Sequence, residues 1–481
     1  MISFVAAFLL LILGYVFYVR LIEENFGPDD RKTPAMLVND GTDYVPMPTW
    51  KIFLIQLLNI AGTGPIFGAL SGAIFGPVVY LWIVLGCVFA GSVHDYMSGM
   101  VSVRHVGASI AEIVGFYLGN KIKTVMRIFS VILLILIGIV FSVSPAGLLA
   151  LLTPEWFDAA FWLWVILAYY FVATFLPVDK LIGRVYPLFG LCLIITIVGI
   201  SGSLLFSGEF AMPELWDSFR NMHAEKLPVW PFMFITVACG AVSGFHGTQS
   251  PMMSRCIKSE YDGRIVFAGA MICEGVIALV WAAAGVSCYE SSQALLEAGG
   301  GCSAVVYHIC QTTMGRVGCV LAMLGIIVCP VSSGDTAFRA VRLSIADWFD
   351  IKQTSVKNRF MLTVPILAIG AVGCHVDYGV LWRYASWANQ TLATFSLWAF
   401  ACCLAYNGKN WLCCVVPAVF MTALTTAYFF YSRECVGGVW RLLGVSDGLA
   451  YNISVGIGIV LSVVFLALFL KKVGKMSQLE K

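Results

Sequence analysis

Runs of apolar residues about as long as a bilayer is thick recur along this sequence and leave room for little but a membrane fold. Thirteen can be drawn, at 2–20, 51–76, 78–100, 125–152, 159–178, 185–207, 229–250, 264–287, 317–345, 361–376, 383–405, 411–431 and 452–470. A helix needs about 20 apolar residues to cross the hydrocarbon core. Every backbone polar group in that core must be satisfied internally, so runs of this length read as helices. Only 12% of the residues are charged and 60% are hydrophobic, whereas an ordinary soluble domain has about 25% charged residues. The expected fold class is an all-α polytopic membrane protein. A net charge of +2 excludes a nucleic-acid binder working by bulk electrostatics. The run at 2–20 lacks a basic n-region and a small-residue cleavage site, so it reads as a retained helix, not a signal peptide.

The basic residues test this division, because cytoplasmic loops carry an excess of Lys and Arg. All but six of the 29 Lys and Arg fall on one side, in loops 20–51, 100–127, 178–184, 255–264 and 339–359, at Lys409 and in the C-terminal tail. The six are Arg220, Lys226, Arg316, Arg383, Arg433 and Arg441. The expected topology puts the N-terminus outside and the C-terminus in the cytoplasm of a cell membrane. The longest loops are about thirty residues, too short for a core of their own, so residues 1–481 read as one integral membrane domain. Residues 208–228 read as a short amphipathic surface helix. Most of the 16 cysteines lie in apolar runs, and Cys87, Cys192, Cys239, Cys273 and Cys402 read as small apolar packers. No CxxC or zinc-type Cys/His spacing occurs, so no metal or cofactor is expected beyond a coupling H+ or Na+. Cys288, Cys302 and Cys310 share one outer loop, where a disulfide stays open.

After the first span, five runs cover 51–207 and five more cover 229–405; two further helices occupy 411–470. An odd number of spans per unit inverts the second unit relative to the first. Each unit opens with an interrupted helix, at Ala61-Gly62-Thr63-Gly64-Pro65 and at Gly244-Phe245-His246-Gly247-Thr248-Gln249-Ser250-Pro251. Paired broken helices at corresponding positions are the sequence pointer to an inverted-repeat secondary transporter. Proline suits the first position of a half-helix, so Pro65 is expected to start one. Ser250 is expected to cap another starting at Pro251. Such ends favour an anion, and the expected substrate contacts are Gly62, Thr63, Gly64, Pro65, Phe245, His246, Gln249 and Ser250. The plainer alternative is a pair of proline kinks.

Ionisable residues within a span are costly and are functional candidates. Glu274 lies mid-span in MICEGVIALVWAAAG, as a proton carrier or as a structural carboxyl. Asp335 shares a helix face with Arg339 and Arg342, which reads either as an ion pair at the end of a span or as a charge beside a cation site. Ser332, Ser333 and Thr336 would supply that site's oxygens. His94-Asp95 reads as a proton relay or as an interfacial cap. No HExxH, GxSxG, Walker or GxGxxG signature appears, so the chain reads as a non-enzyme.

The segments FGPDDRKTPA (26–35), DGTDYVPMP (40–48), IAGTGPIFGAL (60–70), LWIVLGCVFAGSVHDYMSGMVSVR (81–104), GASIAEIVG (107–115), EGVIALVWA (274–282) and SSGDTAFRAVRLSIAD (332–347) resemble the carbon starvation protein A (CstA) family, in its shorter form. The resemblance implies the amino acid–polyamine–cation superfamily and a LeuT-type five-plus-five inverted repeat. It also implies uptake of peptides during carbon starvation or of pyruvate with protons. In that fold the substrate lies between the two broken helices, and a cation joins the Ala61–Gly64 region to the Ser332–Thr336 region. The expected function is a cation-coupled importer, with the proton as cation, of a small carboxylate-bearing nutrient. Its partners would be a peptide or pyruvate and the lipid bilayer. A nutrient sensor with a transporter fold and a membrane enzyme built on His94-Asp95 are the alternatives.

Overall fold

The computed structural model describes residues 1–479 except 42–43, 175–177, 217, 300–301 and 354; the side chains of 178–189 and 476–479 are also outside the description. Among the described residues there is no strand. The main helices are α1 (Ile2–Phe26), α2 (Thr49–Ile60), α3 (Gly64–Ala73), α4 (Val79–Arg104), α5 (Ile110–Leu118) and α6 (Asn120–Leu152). They continue with α7 (Ala159–Ala173), α8 (Val178–Phe206), α9 (Val229–Thr236), α10 (Gly244–Ser254) and α11 (Glu260–Ser287). The last are α12 (Ser303–Trp348), α13 (Val356–Gly373), α14 (Tyr378–Tyr406), α15 (Leu412–Tyr431) and α16 (Asp447–Leu479).

By length and composition, eight described helices can cross a membrane, or nine if the bent pair α2–α3 is one span. The thirteen expected runs exceed this for local reasons. Helix α7 has 15 residues, and α9 and α10 are short halves of one run. Helix α14 is long but buries the polar side chains of Ser386, Asn389, Gln390, Thr394 and Ser396. Two expectations need correction. Residues 208–228 form no helix among those described; Gly208 takes a left-handed φ of 73°, Pro213 interrupts the stretch, and Glu214 is drawn onto the amides of Ile2 and Ser3. The loop at 100–127 is not all loop, since it holds α5, capped by the Ser109 hydroxyl on Glu112 N. The basic pair Lys180 and Arg184 lies outside the described side chains. All described cysteines are free, Cys288, Cys302 and Cys310 included.

Local chemistry sets several boundaries. Asp158 caps α7 and Asp377 caps α14, each accepting an amide hydrogen bond in the first turn. Gly27 in the left-handed region ends α1, and Gly315, with φ of 66°, kinks α12. Helix α12 lies along α6 and α8, while α10 packs on the second half of α4 and on α14. Helix α3 lies against α11. The two broken pairs therefore meet at the centre of the bundle.

One end of this centre is tied by a buried carboxylate. Glu260 is fully buried and accepts from Arg104 at 2.9 and 3.1 Å and from the Asp29 amide at 3.1 Å. Arg31 reaches it at 3.6 Å, and the Thr33 hydroxyl bonds Ile257 O at 2.6 Å. The FGPDDRKT stretch thus straps the basic end of α4 to the start of α11. Removing one partner of a buried pair costs about 3–5 kcal/mol, because the other charge is left unpaired. Glu260→Ala should therefore lower the thermal unfolding midpoint in detergent. Arg31→Ala, whose side chain is 52% exposed, should change it little.

Candidate functional site

The first broken pair is bent by 53° between Ile60 and Gly64. Pro65 stands in the first turn of α3, as its missing N–H favours. Gly62 and Gly64 are required by close approach. A Cβ on Gly62 would lie 2.4 Å from the Phe141 ring, and one on Gly64 would lie 2.3 Å from both Cβ and Sγ of Cys239. Cys239 belongs to the second interruption, at 237–243 between α9 and α10. The two breaks are in direct contact.

The second break does not fall where the sequence suggested. Helix α10 starts at Gly244, so Ser250 and Pro251 lie inside it, and Ser250 is no cap. Its hydroxyl instead bonds the His246 carbonyl at 2.9 Å. The cap comes from another helix: Asn389 Oδ1 on α14 accepts from Phe245 N at 2.6 Å. Asn389 also bonds Ser243 at 3.0 Å and Cys239 Sγ at 3.4 Å. A glycine at 244 is needed there, because a Cβ would sit 2.5 Å from Asn389 O.

Four ionisable residues that are far apart in sequence meet beside these breaks. His246 Nδ1 is 2.8 Å from Asp95 Oδ2, and His94 Nδ1 is 2.8 Å from Asp95 Oδ1. His246 Nε2 lies 3.1 Å from Glu274 Oε2, but not in line for a hydrogen bond, so both Glu274 oxygens lack an aligned donor. All four side chains are fully buried. The result is a row Glu274–His246–Asp95–His94 from α11 through α10 to α4. Cys239 Sγ, His246 Nε2 and Glu274 carboxylate oxygen lie within 4.8 Å of one another, so the thiol joins the head of the row.

The remaining expected contacts divide. Thr63 is fully buried and its hydroxyl has no partner, which leaves it free to meet a ligand at the mouth of α3. Phe245 packs edge-on against Phe141 at 5.8 Å, an apolar wall between the breaks. Gln249 is buried and bonds Thr248 through its amide nitrogen, with its carbonyl unpartnered. Ser333 joins α12 to the first break: its hydroxyl faces Leu58 O and Asn59 O at 3.2 Å each. Cys329 Sγ donates to Ala61 O at 2.7 Å. Ser332 and Thr336 turn back onto carbonyls of their own helix, at 2.8 and 2.9 Å, and do not reach the break. Asp335 pairs with Arg339 at 3.3 Å. Arg339 and Arg342 bond Ala173 O and Thr174 O at the end of α7. That end would otherwise leave its last carbonyls unpaired in the bundle, so the plainer ion-pair arrangement fits Asp335.

Sequence reasoning missed Cys239 and Asn389. Cys239 carried no signal beyond its position before GAVSGFHG. Asn389, in the polar stretch YASWANQTLATF of a membrane helix, carried the signal that such residues need partners.

A family model described as carbon starvation protein CstA matches residues 1–154 and 150–299. An uncharacterized membrane protein of Haemophilus influenzae is 45% identical over 345 residues, 61% of this chain and 93% of that protein. The peptide transporter CstA of Mycobacterium tuberculosis is 29% identical over 57% of this chain and 45% of its own length. The pyruvate/proton symporter BtsT of Escherichia coli is 27% identical over 57% of this chain and 47% of its own length. The match thus spans about half the length of these two transporters. Among solved structures, a manganese transporter of Eremococcus coleocola superposes with a TM-score of 0.54 at 12% identity, covering 91% of this chain and 99% of that one. MhsT in complex with L-phenylalanine gives 0.54 at 15% identity, covering 86% and 98%. These likenesses show a shared LeuT-type transporter fold.

The contact between the breaks can be checked by complementary substitution. Overpacking a well-filled core costs about 1–3 kcal/mol. Gly64→Ala should therefore lower the thermal midpoint in detergent, and Gly64→Ala with Cys239→Gly should regain much of the loss. No rescue in the pair would place the two breaks apart.

Proposed function

This chain belongs to the carbon starvation protein CstA family, and from that membership we propose a proton-coupled importer of a small carboxylate-bearing nutrient, pyruvate or a short peptide, serving cells short of carbon. It would work in the cell membrane with its N-terminus outside and its C-terminus in the cytoplasm, the side on which most basic loops fall. The observation that carries this reading is the buried row of Glu274, His246, Asp95 and His94 beside two touching helix breaks. The family relatives named as a peptide transporter and as a pyruvate/proton symporter support the choice of substrate and ion.

The physical logic is one of charge. The N-terminal ends of α3 and α10 present amide groups and a positive dipole end at the breaks, which suits a carboxylate. Thr63 adds a free hydroxyl. Bringing that carboxylate beside Glu274 and Asp95 in a medium of low dielectric is costly unless the site gains a positive charge. A proton taken up by the row supplies it. Each ligand therefore raises the affinity for the other, by the same factor in both directions. Movement of the loaded site from one face to the other follows from rocking of the helices about the breaks, the motion of inverted-repeat transporters.

A second ion reading has its own observation. The carbonyls of Leu58, Asn59 and Ala61 end α2 and face Ser333 and Cys329 of α12. Carbonyls at a half-helix C-terminus with a hydroxyl opposite suit a monovalent cation such as sodium.

Uptake of labelled pyruvate and of a dipeptide into proteoliposomes, with pH and sodium gradients imposed separately, decides between the two. Inward proton gradients should drive accumulation. Glu274→Gln and Asp95→Asn should each reduce it by about tenfold or more. Accumulation driven by sodium alone, with both variants unimpaired, would move coupling to the Ser333 site. Failure of both gradients to drive uptake of either substrate would defeat the importer reading.

A further inference from the structure

The row of carboxylates and imidazoles has a loose end. His94 bonds Asp95 through Nδ1, yet its Nε2 has no hydrogen-bond partner, although the ring is fully buried. One turn along α4, Ser98 Oγ is also buried and without a partner. Unpaired polar atoms this deep are costly. The two converge on one place: a Cβ on Gly247 of α10 would lie 3.1 Å from Ser98 Oγ and 3.5 Å from His94 Nε2. Glycine at 247, with no side chain, leaves both atoms facing the bare backbone of α10.

From there a seam of hydroxyls runs along the same two helices. Ser254 Oγ bonds Gly99 O and Ser250 O at 2.9 Å each, and Ser102 Oγ bonds Ala108 O at 2.9 Å. The seam ends at the basic end of α4, where Arg255 holds Gly107 O at 3.0 Å and Arg104 holds Glu260. Other groups around His94 are Asp95 beside it, His246 from α10 and, past His246, Glu274 from α11. The ring of Phe400 on α14, 5.9 Å away between centroids, closes the remaining side.

We propose that His94 and Ser98 form the port through which the coupling proton leaves the row toward the basic end of α4, with water entering beside Gly247 as the acceptor. This rests on the proton-coupled reading above. The step balances without any other reactant. Asp95 takes a proton from His246 Nδ1 on Oδ2, and a half-turn of its carboxyl carries that same proton to His94 Nδ1, which leaves Asp95 a carboxylate again. His94 releases its Nε2 proton to water, which departs as hydronium, so the ring carries one proton before and after. Ser98 holds the water against Nε2. His94 and Ser98 act here on the proton alone, and the substrate sits at the breaks.

The test separates proton release from substrate handling. In proteoliposomes, net uptake of labelled pyruvate or a dipeptide under a pH gradient requires the proton to leave on each cycle. Equimolar exchange at equal pH shuttles the loaded carrier and does not. Ser98→Ala removes the hydroxyl, and Gly247→Ala sets a methyl against Ser98 Oγ and His94 Nε2. Both should cut net uptake by about tenfold or more while leaving exchange within about twofold of the unaltered protein. Net uptake within about twofold in both variants would overturn the port. Equal loss of exchange and net uptake in both would also overturn it, by showing that these residues only hold the site together. An unaltered protein that lacks pH-driven uptake of both probes fails the proton-coupled reading itself, and the port falls with it; this outcome is recognised before any variant is made.

Discussion

Broken helix backbone inside a bilayer has to be satisfied by protein, and the rest of this structure follows from how that is done. Each break frees carbonyls on one side and amides on the other, and hydrocarbon offers them nothing. Here the two breaks are placed against one another, with Gly64 lying on Cys239 so closely that neither helix has room for a larger residue at 64. Neighbouring helices supply the missing partners. Ser333 and Cys329 of α12 take the carbonyls that end α2, and Asn389 of α14 takes the Phe245 amide that begins α10. A centre built in this way is polar and enclosed by packed helices.

Such a centre changes what an ionisable residue can do. An isolated charge on Glu274 or Asp95 would be costly at this depth. The row spreads that cost over two carboxylates and two imidazoles that touch in sequence order Glu274, His246, Asp95, His94 across three helices. Because α4, α10 and α11 each contribute, any motion of one helix against the others alters the spacing of the row. On the proposed reading, proton occupancy and helix position are thereby tied together. The strap of residues 29–33 on Glu260 and Ile257 fixes the ends of α4 and α11 relative to each other.

Much of this was legible in the sequence, but one residue at a time. The apolar runs gave the helices, and GTGP marked the first break at the right place because proline and glycine act locally. The second break was misplaced by seven residues' worth of helix, since SP looks like a helix start. The real start at Gly244 is fixed by Asn389, 145 positions along, which no local signal reveals. His94, Asp95, His246 and Glu274 were each singled out as unusual inside a span. That they form one row is a tertiary fact. Ser332 and Thr336 were grouped with Ser333 by proximity in sequence, yet helical geometry points only Ser333 and Cys329, one turn apart, at the break. Residues 208–228 read as amphipathic by composition, but those described are irregular chain, tied through Glu214 to the start of α1.

The account stands on a carboxylate substrate and a proton occupying one electrostatically linked site. Its most direct measurement is proton binding by the purified protein in weakly buffered detergent solution as pyruvate or a dipeptide is added, read with a pH indicator. The account predicts that saturating substrate draws protons from solution in proportion to the sites filled, and that Glu274→Gln abolishes the uptake. Substrate binding that leaves the proton count of the protein unchanged would contradict it.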